Sequence, residues 1–74
     1  MPVDELRDRY TGVVLDWLRE TRYPSPTMLD RAEAAITDRS TAEEYVGSLI
    51  DHLEEDRYPS PMMVERVRRL LNML

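Results

Sequence analysis

Residues 10–31 (YTGVVLDWLRETRYPSPTMLDR) and 45–66 (YVGSLIDHLEEDRYPSPMMVER) align without a gap at an offset of 35, and 12 of the 22 positions are identical. The identities include Tyr10/Tyr45, Gly12/Gly47, Asp16/Asp51, Leu18/Leu53, Glu20/Glu55, Met28/Met63 and Arg31/Arg66, with the whole run Arg-Tyr-Pro-Ser-Pro at 22–26 and 57–61. A chain that writes one unit twice is restricted to architectures that accept two copies of the same supersecondary element. What that element is follows from the spacing of apolar residues on either side of the shared run.

Each unit reads as a helix, a tight turn and a second helix. Val3, Leu6, Tyr10, Val13 and Trp17 step by 3, 4, 3 and 4, which puts them on one stripe of a helix, and Val14 and Leu18 widen that stripe. The stripe is expected to face the core. Asp4 and Glu5 sit in the first turn, where the positive end of the helix dipole favours acids. The second unit opens with Ser40-Thr41-Ala42-Glu43, a capping-box pattern, followed by Ala42, Val46, Leu49 and Leu53 on one face with Tyr45 and Ile50 beside them.

The shared run is turn chemistry. A residue before proline avoids the α region, so Tyr23 and Tyr58 are expected to end the helices before them. Ser25 and Ser60 are suited to cap the helices that follow, and Pro26 and Pro61 fall at the first helical position, where a missing N–H costs nothing. The Pro-x-Pro pattern also resembles part of a polyproline II ligand. Capping is preferred because it accounts for both copies and for their spacing to the next apolar residue. Met28, Leu29, Ala32, Ala35 and Ile36 then line one face of the second helix. Met63, Val64, Val67, Leu70, Leu71 and Leu74 line one face of the fourth.

The helices are therefore expected near 4–21, 26–37, 41–56 and 61–73, with connections short enough to make sequential helices antiparallel neighbours. The predicted fold is all-α: a four-helix bundle built from two duplicated antiparallel αα-hairpins with a 35-residue offset. It forms a single domain over residues 1–74, with one repeat unit at about 4–38 and the other at about 39–74.

Composition excludes several functions. There is no cysteine, so no disulfide framework or thiolate metal site is available, and the one histidine, His52, rules out multi-histidine sites. No apolar run exceeds three residues, so no transmembrane segment or signal peptide is expected, and a cytoplasmic location follows. The net charge is -5 and the acids are spread evenly over both halves, leaving no basic stripe for nucleic acid or an anionic membrane. All ten basic residues are arginine.

Candidate chemistry is sparse. A 35-residue helix pair has nearly the tetratricopeptide length, but two units are too few for a solenoid and that family's signature is not met. Gly47-Ser48-Leu49 looks like the segment of acyl and peptidyl carrier proteins that bears the phosphopantetheine. Ser48, however, falls in mid-helix rather than at a helix start. The i, i+4 pairs Asp16/Glu20 and Asp51/Glu55 lack the Glu-x-x-His partners of a dimetal bundle, so they read as solvated faces or as salt bridges to Arg22/Arg57 and Arg31/Arg66. His52, at the position of Trp17, reads as a packed or half-exposed spacer. No nucleophile–base constellation or phosphate loop appears. No catalytic residue, cofactor, metal or small-molecule substrate is expected. Gly12 and Gly47 interrupt helices at a cost of about 1 kcal/mol each, which suggests either a local bend or close approach of another helix.

The remaining signal is on the last helix. At about 100° per residue its apolar residues cover about 200° of arc, against about 120° for its duplicate. The excess falls on Met62 and Met73, where the first unit has Thr27 and Asp38. Methionine-rich apolar surface adapts its shape to a partner. The expected function is a non-enzymatic interaction module or accessory subunit. It would bind a partner protein, or a second copy as a homodimer, through Met62, Arg66, Arg69, Met73 and Leu74. The alternative is an acidic regulator of a DNA-binding protein, as a nucleic-acid mimic or transcription-related factor, with no direct nucleic-acid contact of its own.

Overall fold

Four α-helices follow one another along the chain, and a computed structural model describes residues 2–74. They are α1 (Val3–Glu20), α2 (Pro26–Ala35), α3 (Arg39–Glu55) and α4 (Pro61–Met73), with no strand among the described residues. No helix among the described residues is long and apolar enough to cross a membrane. The chain divides into two compact units, one ending at Asp38 and the other Arg39–Leu74.

In the first unit α1 packs against α2. The buried side chains are Thr11, Val14, Leu15 and Leu18 on α1 and Met28, Leu29 and Ala32 on α2. This corrects the expected core face of α1. The stripe Val3, Leu6, Tyr10, Val13 and Trp17 is exposed, and the buried face lies about 100° further round the helix. The reason is the size of α2. It is only 10 residues long and buries three side chains, so it covers one side of a broad apolar arc. It takes the side with the smaller residues, leaving the bulky Tyr10 and Trp17 outside.

The end of α2 lies beside a hydroxyl of α1. Thr11 Oγ1 donates to its own helix at the Arg7 carbonyl, 2.9 Å away, and lies 3.5 Å from the Ala35 carbonyl. The chain leaves the helix at Ile36, whose backbone is extended (ψ 124°), so α2 stops at Ala35 rather than at 37. Ile36, Thr37 and Asp38 are all weak helix formers, which favours release there.

In the second unit α3 packs against α4. Tyr45, Val46, Ser48 and Leu49 of α3 and Val67 of α4 are buried. Helix α3 begins at Arg39, so Ser40 lies inside its first turn and does not occupy the cap position expected for it. Glu43 bonds Arg39 instead, at 3.1 Å, one helical turn back.

The two shared runs place their prolines as expected, at the start of α2 and of α4. Their serines differ. Ser25 Oγ accepts from the Met28 N–H at 3.1 Å, whereas Ser60 holds the cap position without a side-chain cap bond. The helices before the runs end at Glu20 and Glu55, within one residue of the expected bounds and short of the tyrosines. In α1 the cause is visible: Thr21 turns extended (ψ 117°) and its hydroxyl takes the Trp17 carbonyl at 2.8 Å.

Candidate functional site

Helix α4 carries the residues that the sequence singles out. Pro61 starts it, the Ser60 carbonyl accepts the first helical bond from Val64 N–H at 3.0 Å, and buried Val67 seats its middle. With Val67 turned inward, helical geometry carries Met62, Arg66, Arg69 and Met73 along one edge. Met62 and Met73 are 70% and 81% exposed, Arg69 and Leu74 are exposed, and Arg66 is half-buried. The structure also exposes Val64 and Leu71, on the opposite flank of the buried stripe, where a core contact was expected. The fourth helix therefore shows apolar surface on both sides of its seat. Helix α3 takes up only a narrow strip of α4, in which Val67 alone is fully buried.

The far side of α4 is closed by a fork of charges. Arg68 Nε donates to Glu65 Oε2 at 2.9 Å, and Arg68 Nη2 donates to Glu65 Oε1. The guanidinium holds the Glu65 carboxyl below its ordinary range, and the carboxylate raises Arg68 in turn.

A second apolar surface, read from the sequence as core, is the outer stripe of α1. Between 47% and 68% of each of Val3, Leu6, Tyr10, Val13 and Trp17 is exposed. Its 3-4 spacing was visible from the start. What was not visible was that α2 would pack beside it and not upon it.

The remaining candidates lie apart from these faces. Ser48 is buried in the middle of α3, away from any helix start. His52 is half-exposed and its Nδ1 lies 2.8 Å from the Ser48 carbonyl, which only accepts, so Nδ1 carries the proton. Asp16 pairs with Arg19 at 3.3 Å, along its own helix. Among the described residues no three His, Cys, Asp or Glu side chains gather to hold a metal ion. Arg22 lies over the Tyr23 ring at 5.5 Å and Arg57 over the Tyr58 ring at 5.7 Å, with both tyrosines exposed. Among the described residues nothing lies within 4 Å of where a Cβ would stand at Gly12 or Gly47.

No protein-family model, curated protein or solved structure matches this chain.

Proposed function

We propose that this chain is a non-enzymatic interaction module or accessory subunit, built by duplication of a helical hairpin, which docks a partner protein on the Met62/Arg66/Arg69/Met73 edge of α4, with Leu74 just past its end. The observation that carries the reading is the exposure of Met62 and Met73 at the two ends of one edge, about three turns apart. Methionine conforms to varied partner surfaces, which suits both ends of the edge to a docked side chain or helix. Arg66 and Arg69 between them suit an amphipathic partner helix flanked by acids better than a basic DNA-binding protein. The duplication is supported by the pairing of proline at the first position of both α2 and α4, and by the same Arg–Tyr stacking before each.

The test is affinity capture from the native host with the wild type beside Met62→Glu/Met73→Glu. Both substituted positions are exposed, so the variant is expected to keep its helicity and lose the co-purifying protein. A folded variant that retains every partner of the wild type overturns the assignment.

A further inference from the structure

The outer stripe of α1 has a spacing more regular than a hairpin needs. Val3, Leu6, Tyr10, Val13 and Trp17 occupy successive a and d positions of a heptad, the seam by which one helix packs lengthwise on another. Helix α2 does not use it, and all five residues are exposed. We propose that a second copy of this chain covers the stripe, the two α1 helices packing antiparallel about a two-fold axis. The inference goes beyond the partner site on α4 and does not depend on it.

Volume favours this occupant and this direction. In a two-fold contact residue i meets j and j meets i. An antiparallel register places Tyr10 of one copy on Val13 of the other and Leu6 on Trp17, each twice, so every large ring meets a smaller aliphatic side chain. A parallel register stacks Tyr10 on Tyr10 and Trp17 on Trp17 and leaves the valines facing one another. The antiparallel seam ends where Val3 reaches Glu20, an exposed acid that marks its limit.

Charge favours it as well. Arg9 and Asp16 flank the stripe on the side away from α2, one before Tyr10 and one before Trp17, and both are exposed. In the antiparallel register Arg9 of each copy stands opposite Asp16 of the other. Asp16 already holds Arg19 at 3.3 Å, and a carboxylate accepts from two guanidinium groups. The other flank of the stripe is Val14, which is occupied inside the hairpin. The area is at the threshold: Tyr10 and Trp17, about half exposed, offer on the order of 200 Å² per copy and Val3, Leu6 and Val13 add to it, so complete cover of both stripes comes only to the lower bound of about 1,000 Å² for a specific interface.

Trp17 is the only tryptophan, so its fluorescence reports on the seam directly. The experiment follows sedimentation equilibrium and Trp17 emission over a range of protein concentrations. The wild type is compared with Val13→Glu, Arg9→Glu, Asp16→Arg, the double swap Arg9→Glu/Asp16→Arg, and Met62→Glu/Met73→Glu. The expected result is a monomer–dimer equilibrium in which emission shifts to the blue as dimer forms. Val13→Glu should abolish it at all concentrations while leaving helicity unchanged. Each single charge reversal should weaken the dimer about fivefold or more, and the double swap should restore it. The α4 variant should dimerise like the wild type, so failure of the partner site leaves this result standing. A wild type that remains monomeric overturns the proposal, whether Trp17 emits as exposed or as shielded by its own chain at every concentration. A dimer that survives Val13→Glu, or one whose charge reversals the double swap does not rescue, overturns the antiparallel seam.

Discussion

The two serines of the repeated turn show how a single hydrogen bond separates positions with the same local sequence. Ser25 holds the Met28 amide and Ser60 makes no cap bond. Replacing a working cap costs about 0.5–2 kcal/mol, so Ser25→Ala is expected to lose stability in that range. Ser60→Ala should stay within about 0.5 kcal/mol of the wild type, as for a surface substitution that breaks nothing. Chemical denaturation of the two variants side by side measures the difference. The mid-helix glycines point the other way. With helical backbone, no positive φ and open space around each, Gly12→Ala and Gly47→Ala should each stabilise by up to about 1 kcal/mol. Thermal melts should show this as a rise of several degrees for each substitution, and a fall in either melting temperature would mean that the glycine face meets something outside the monomer.

At the scale of elements, turn chemistry was readable from the sequence because it is local. A proline at the first helical position acts within one turn, and both runs start a helix there, although only Ser25 adds a side-chain cap bond. Which face of α1 is buried was not readable. Val14 and Leu18 border the heptad stripe and belong to the true core, and only the reach of α2 decides between the two sides. Ser40 misled for a related reason: its pattern with Glu43 fits a capping box, but the helix starts two residues earlier, at Arg39, which takes the carboxylate. On α4 the sequence anticipated that Met62 and Met73 are exposed and missed that Val64 and Leu71 are exposed too. The Glu65–Arg68 fork gives this helix a pH dependence. Because the carboxyl is held below its ordinary range, its contribution is present above that range and is lost as pH falls through the lowered value. A carboxyl titration of Glu65 by NMR should therefore have its midpoint below the usual value near 4.3. Arg68→Met should return it towards that value.

At the scale of the whole molecule, a chain of 74 residues without disulfides has little stability to spare. A dimer seam adds to it by mass action, so the melting temperature of the wild type is expected to rise with protein concentration and that of Val13→Glu to stay constant. The repeated turn also provides a natural comparison within one polypeptide. Trypsin meets the same residues at the Arg22–Tyr23 and Arg57–Tyr58 bonds, each followed by Pro-Ser-Pro. The helix after the first bond is fastened by its serine and the helix after the second is not. Limited proteolysis should accordingly cut after Arg57 before it cuts after Arg22, an order best read in an Asp56→Thr background, because Asp56 precedes Arg57 where Thr21 precedes Arg22 and that substitution makes the two cleaved segments the same.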